Sequence, residues 1–171
     1  ATAAVPTHGS SAVPPPTQLA ISERLATMLS EDLGDVERAL PYYDRLFASN
    51  PTDVVLFRKL RQYLSAKGDW RALASLYERS IAVQEDTHSR VSAQLELARL
   101  YEEVLSDPSR AIEQYERVLT AEEDNEVAER NLERLYDAAE RFDALAALLE
   151  RRASREPDDL SLRRHLVRVY A

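Results

Sequence analysis

Gly68-Asp69-Trp70-Arg71-Ala72-Leu73-Ala74-Ser75-Leu76-Tyr77-Glu78-Arg79 decides the fold of this 171-residue chain, because parts of it recur. Its opening returns as Gly34-Asp35-Val36. Its end returns as Tyr43-Asp44-Arg45 and Tyr115-Glu116-Arg117, with Leu149-Glu150-Arg151 as a weaker copy. The four copies of the tripeptide stand 34, 38 and 34 residues apart. Pro51, Glu85, Glu123 and Pro157 occupy one matching place in each unit. A period of this length marks a repeat architecture, in which each unit buries its apolar face only by stacking on its neighbours.

Working outward, apolar residues recur at three- and four-residue spacing from Leu19 onward, with Asp, Asn, Gly or Pro between the runs. The pattern predicts nine helices, over 19–32, 36–49, 52–66, 70–83, 88–105, 108–121, 126–139, 142–154 and 159–170. Gly34 and Gly68 suit left-handed helix ends. Asp107-Pro108 supplies an N-cap followed by proline at the first helical position. Pro51 and Pro157 follow helix ends, where a missing N–H costs little. Pro41 falls inside its helix and predicts a late start or a small kink. Residues 1–18 differ in kind: they carry no charge apart from His8 and hold Pro6 and Pro14-Pro15-Pro16. They read as a linker or tail, in which the proline run favours polyproline II.

The repeated units resemble the tetratricopeptide repeat (TPR) family, whose unit is a helix–turn–helix of about 34 residues. The second unit matches through Phe57, Leu60 and Leu64, then Leu73 and Tyr77. The third matches through Leu97-Ala98, Tyr101, Ala111 and Tyr115, and the fourth through Leu132, Tyr136, Leu145, Leu149 and Pro157. The first is degenerate in its first helix (Ala26, Ser30) and clear in its second (Ala39, Tyr43, Pro51). Leu166 and Tyr170 begin a fifth. The resemblance covers residues 20–171. It implies an all-α, right-handed solenoid of antiparallel helix pairs, with repeats at about 20–53, 54–90, 91–125 and 126–159 and a partial unit at 160–171. Arg61 and Glu133 stand where the family has a small residue, which predicts looser helix contact there. The extra residues of the third unit are expected at Asp86 to Ser89, with one more in the Ser106-Asp107 turn. The related HAT repeat shares the Tyr-Glu-Arg look but not the first-helix aromatic pattern, and ranks second.

Composition agrees and excludes. Only 3 glycines argue against a Gly-rich nucleotide loop and against a hairpin-rich β domain. The absence of cysteine removes thiolate chemistry and leaves the redox compartment open. His8, His88 and His165 lie in separate segments, so no metal site is expected. Serines lack a nucleophile elbow, and Glu31-Asp32, Glu102-Glu103 and Glu122-Glu123-Asp124 read as solvated charge. No catalytic residue, metal or cofactor is expected. A net charge of −8 disfavours nucleic acid as a partner, and no apolar run reaches the length of a membrane span. The tyrosines of the repeat, with Trp70 and Phe142, read as packing residues rather than a base-stacking row.

The one charged constellation is a column of arginines. In the TPR family the first helix of each unit lines a concave groove. Matching positions there are Arg24, Arg58, Leu95, Arg130 and Arg164, and one turn on, Met28, Gln62, Arg99, Arg134 and Arg168. Local salt bridging explains some of them: Arg99 has Glu96, Glu102 and Glu103 within a turn, Arg130 has Glu126, and Arg134 has Asp137. Arg24, Arg58, Arg164 and Arg168 have no carboxylate at those spacings, although Glu31 or Asp32 could reach from a neighbouring helix. Guanidinium groups bind carboxylates bidentately. The expectation is therefore a protein-interaction scaffold that takes an acidic or extended partner segment in the groove. A structural subunit of a larger assembly and an RNA-binding module are the alternatives. The family's carboxylate clamp uses groove asparagines, and Met28 and Gln62 stand there instead. The last helix shows Leu162, Leu166, Val167, Val169 and Tyr170 with no polar cap after it. This predicts either a longer native array or a contact through that helix.

Overall fold

A computed structural model describes residues 16–170 of the chain. The linker reading covers residues 1–18; 1–15 lie outside the described residues, and 16–18 are helical. Pro16 itself begins the first helix, where proline is well tolerated. The chain forms two compact units, one ending at Lys67 and the next beginning at Gly68. The division falls inside the second sequence repeat.

The first unit holds α1 (Pro16–Thr27), continued by a π-helical turn (Met28–Asp32), then α2 (Val36–Ser49) and α3 (Val54–Lys67). The second holds α4 (Trp70–Val83), α5 (Thr87–Arg99) with a π-helical turn (Leu100–Val104), α6 (Pro108–Ala121), α7 (Glu126–Ala138), α8 (Phe142–Arg155) and α9 (Leu160–Tyr170). No strand occurs among the described residues. Within each unit every helix packs on its sequence neighbours, as antiparallel hairpins.

Capping accounts for the boundaries. Asp35, Asp69, Asp86, Asp107 and Asn125 each accept a hydrogen bond from the backbone N–H three residues on, which satisfies one orphan donor of the helix. Asp53 does the same for Val55 and Leu56, so α3 starts at residue 54 and not at 52. The Ser89 hydroxyl and then its amide hold the Asp86 carboxyl below the usual range. α2 does not start late: it runs from Val36 through Pro41. The ring removes one bond to the carbonyl four residues back, on the exposed side of the helix at Glu37, where water can replace it.

The turns that precede α2, α4, α6 and α8 each place one residue in the left-handed region. Gly34 (φ 66°) and Gly68 (φ 73°) do so as expected. Ser106 (φ 53°) and Glu140 (φ 54°) hold the same position in the third and fourth repeats, unannounced by glycine. A Cβ there is unfavourable, so Ser106→Gly and Glu140→Gly are each expected to stabilise the second unit by about 0.5–1 kcal/mol. The check is a rise in the urea midpoint at unchanged m-value.

The long third repeat is explained by added helix. Asp86 caps one extra turn at the start of α5, where the additional residues were expected. The further residue before Asp107 is absorbed in the π-helical turn, closed by Leu105 N–H to Leu100 C=O at 3.0 Å.

The first unit is filled by Ala26, Leu29, Ala39, Tyr43, Phe47, Leu60 and Leu64. The second is filled by Leu76, Leu97, Tyr115, Val118, Leu132, Leu145, Leu148 and Leu149. Ala98, Ala111 and Ala128 have no exposed surface, which is what close helix approach requires. Tyr43, Tyr77, Tyr101, Tyr115 and Tyr136 are buried, as read from the repeat. Trp70 and Phe142 are not: they begin α4 and α8 and are 36% and 48% exposed. Position 133 shows how the missing small residue is accommodated. Glu133 accepts from Arg152 at 2.6 Å and lies 3.0 Å from His165 Nδ1, so an ion network replaces close packing there.

Candidate interaction surface

The inward residues of each first helix dictate which side chains face out. In α1, Ser22, Ala26 and Leu29 turn inward, leaving Arg24 exposed, with Met28 exposed just beyond it. Leu60 and Leu64 pin α3 and expose Arg58 and Gln62. In the second unit, Leu97 and Ala98 leave Arg99 exposed. Ala128, Leu132, Leu135 and Tyr136 leave Arg130 and Arg134 exposed, and Leu162 leaves Arg164 and Arg168 exposed. Each candidate position thus lies on the solvent side of a first helix.

Their partners differ from the local reading. Arg99 does pair with Glu96, at 3.1 Å. Arg134 pairs across to Glu102, not with Asp137 on its own helix, and its guanidinium also lies 3.4 Å from Asn131 Oδ1. Glu102 additionally accepts from the Tyr115 hydroxyl at 3.5 Å, which makes it the negative centre of that region. Arg130 forms no pair with Glu126. Glu31 is taken by Lys59 at 3.0 Å; the same ammonium donates to Tyr43 Oη at 2.9 Å, and these contacts raise its pKa, the Tyr43 bond most. Among the described residues Arg24, Arg58, Arg130, Arg164 and Arg168 make no ion pair or hydrogen bond. Two arginines are neutralised and five are free.

Residues beside them had not been singled out. Ile21, Val55 and Val127 each stand three positions before an arginine of the column (Arg24, Arg58, Arg130), on the same helix face, and are exposed by 55%, 69% and 37%. The signal was present as an aliphatic residue at one matching position of three units. Each free arginine in α1, α3 and α7 therefore has an aliphatic neighbour. Such a surface offers a charge-assisted hydrogen bond and apolar contact within one turn.

A second repeated device joins the helices. Tyr101 donates to Glu78 at 2.6 Å, Tyr136 to Glu116 at 2.8 Å and Tyr170 to Glu150 at 2.7 Å. The acceptors are the glutamates of the recurrent tripeptide. The motif therefore persists partly because its glutamate receives a hydroxyl from the next first helix. Arg110 and Arg141 lie over the Tyr101 and Tyr136 rings at 5.4 and 4.9 Å. Burial, then the Glu78 and Glu116 bonds, push the Tyr101 and Tyr136 hydroxyls above the usual tyrosine range.

Among the described residues no group of three or more His, Cys, Asp or Glu is arranged to hold a metal ion, and no helix is long and apolar enough to cross a membrane.

The capped hairpins, their recurring left-handed turns and their repeat period define a TPR-type helical-hairpin fold. No family model and no curated protein matches the chain. Solved structures do. It is similar to the MamA protein at 17% identity, over 90% of this chain and 81% of that one, with a TM-score of 0.49. It is similar to YrrB, described as a TPR protein with an unusual peptide-binding site, at 16% identity, over 93% and 84%, with a TM-score of 0.49. It is also similar to the TPR-like repeats of a putative kinesin light chain of Podosopora anserina, at 20% identity, over 95% and 88%, with a TM-score of 0.48.

Proposed function

We propose that the chain is a non-catalytic interaction module in which the first-helix faces of each unit bind acidic, extended segments of a partner protein. The observation that carries this reading is the set of five exposed arginines without a partner among the described residues, in a chain of net charge −8. Two acids near them are already engaged, Glu31 by Lys59 and Glu102 by Arg134. Ile21, Val55 and Val127 add the apolar half of the surface and favour a segment that mixes carboxylates with aliphatic side chains. Burial of Tyr43, Tyr77, Tyr101, Tyr115 and Tyr136 withholds those five rings from the stacking that single-stranded RNA would use. Leu160, Val167 and Tyr170 on α9 are 60–70% exposed and support a further protein contact there.

The test is binding of a labelled peptide of alternating glutamate and leucine, measured by anisotropy, with polyuridylate as competitor. Arg24→Glu with Arg58→Glu probes the first unit. Arg130→Glu with Arg164→Glu probes the second. Each reversed pair is expected to weaken binding at least tenfold, which is the scale of one or two charge-assisted hydrogen bonds. Unchanged affinity in both pairs, with helicity intact, sinks the reading; polyuridylate that outcompetes the peptide assigns the surface to RNA.

A further inference from the structure

We propose that a cleft on the second-helix face of the second unit receives an uncharged aliphatic side chain, leucine or methionine, from a partner polypeptide. The cleft holds about 480 Å³ and opens between α6 and α8. Its floor is apolar: Leu119, Leu132 and Leu148 are all nearly inaccessible beneath it. Ala144 and Ala147 form the α8 wall.

The matching positions of the neighbouring repeat carry longer side chains. Counting from the residues that begin α6 and α8, Arg110 and Glu113 of α6 stand where α8 has Ala144 and Ala147. Arg110 carries its stem back to Tyr101, and its guanidinium lies 3.3 Å from the Tyr101 hydroxyl that donates to Glu78. In the next repeat the same tyrosine–glutamate pair is Tyr136 and Glu116, and its guanidinium comes from Arg141 instead, 4.9 Å over the ring and 3.5 Å from Glu116. The charge is therefore supplied from another position. At Ala144 and Ala147 the α8 wall carries single methyl groups, where the matching α6 positions carry the longer Arg110 and Glu113.

Electrostatics argue for a neutral occupant. Glu116 is balanced by Arg141, and Glu123 and Arg151 both line the cleft without pairing with one another. An added cation or anion would upset this balance. A peptide backbone suits it, since an N–H can donate to the Glu123 carboxylate and a C=O can accept from the Arg151 guanidinium. This surface is independent of the arginine faces and differs in kind, because apolar burial is insensitive to the salt that screens exposed charges.

The test titrates the full chain with the capped tripeptides acetyl-Ala-Leu-Ala-amide, acetyl-Ala-Arg-Ala-amide and acetyl-Ala-Asp-Ala-amide, following the methyl resonances of Ala144, Ala147, Leu119 and Leu148. Only the leucine peptide is expected to shift them saturably, with the affinity unchanged in 0.5 M sodium chloride. Ala144→Arg, which copies Arg110, is expected to abolish the shifts. Ala147→Glu, which copies Glu113, repeats the test should the first variant fail to fold. Equal shifts from the arginine or aspartate peptide, saturable shifts that survive both substitutions, or no saturable shift from the leucine peptide would overturn the proposal.

Discussion

Tyr115→Ala is expected to destabilise the second unit by about 4 kcal/mol, enough to abolish most of the stability of a small domain. Tyr115 is the largest side chain with no exposed surface, and it lies on α6, which packs against both α5 and α7. Its removal leaves a cavity that rigid flanking helices cannot close. Tyr115→Phe keeps the ring and loses only a 3.5 Å contact to Glu102, so its cost is expected below about 1 kcal/mol. Urea titration distinguishes the two. The same residue reports on alkaline pH. Burial, then the Glu102 charge, pushes the Tyr115 hydroxyl up to about 12. The folded value lies above the unfolded one near 10, so the neutral phenol's contribution is complete below about pH 10 and is lost as the pH rises toward 12. Tyr101, Tyr136 and Tyr170 shift in the same direction. The urea midpoint is therefore expected to fall above pH 10, and to fall less in Tyr115→Phe. A midpoint flat to pH 12 would contradict this account of the tyrosines.

Arg152→Met carries the second large effect, a loss of about 3 kcal/mol at pH 7. Arg152 lies 3.5 Å from Glu129 Oε2 and donates to Glu133 at 2.6 Å; the Glu129 side chain is only 5% exposed. Arg155 holds the other Glu129 oxygen and also donates to the Glu123 carbonyl at 2.8 Å. Without Arg152, the buried Glu129 keeps only Arg155, and Glu133, one turn along α7, keeps only His165. Most of the loss is uncompensated charge and not lost packing, since methionine keeps the stem. One check follows from that cause. Adding Glu129→Gln to Arg152→Met is expected to cost less than the sum of the single changes, because the buried charge left uncompensated is then gone. Strict additivity would show that Arg152 acts by packing alone.

Much of the fold was legible because its causes are local. The spacing of Leu60 and Leu64, or of Leu132 and Tyr136, sets one face of a helix, and Gly34 and Gly68 set left-handed turns. The left-handed backbone of two further turns was not legible, because Ser106 and Glu140 take it without the residue that signals it. Of the surface, the exposure of all eight candidate positions followed from the repeat register. Their electrostatic state did not. Arg134 ignored Asp137 on its own helix for Glu102, 32 positions away, and Arg130 ignored Glu126.

The sequence by itself determined the hairpin, its period, its caps and which side of each first helix meets solvent. These depend on backbone geometry and hydrophobic spacing within a few turns. The tertiary structure alone decided which arginines remain free, how Glu129 is compensated, and that Ala144 and Ala147 wall a cleft between α6 and α8. Those outcomes depend on which side chain arrives from the adjacent helix, and a carboxylate or a void within 4 Å in space carries no mark in the local order of residues.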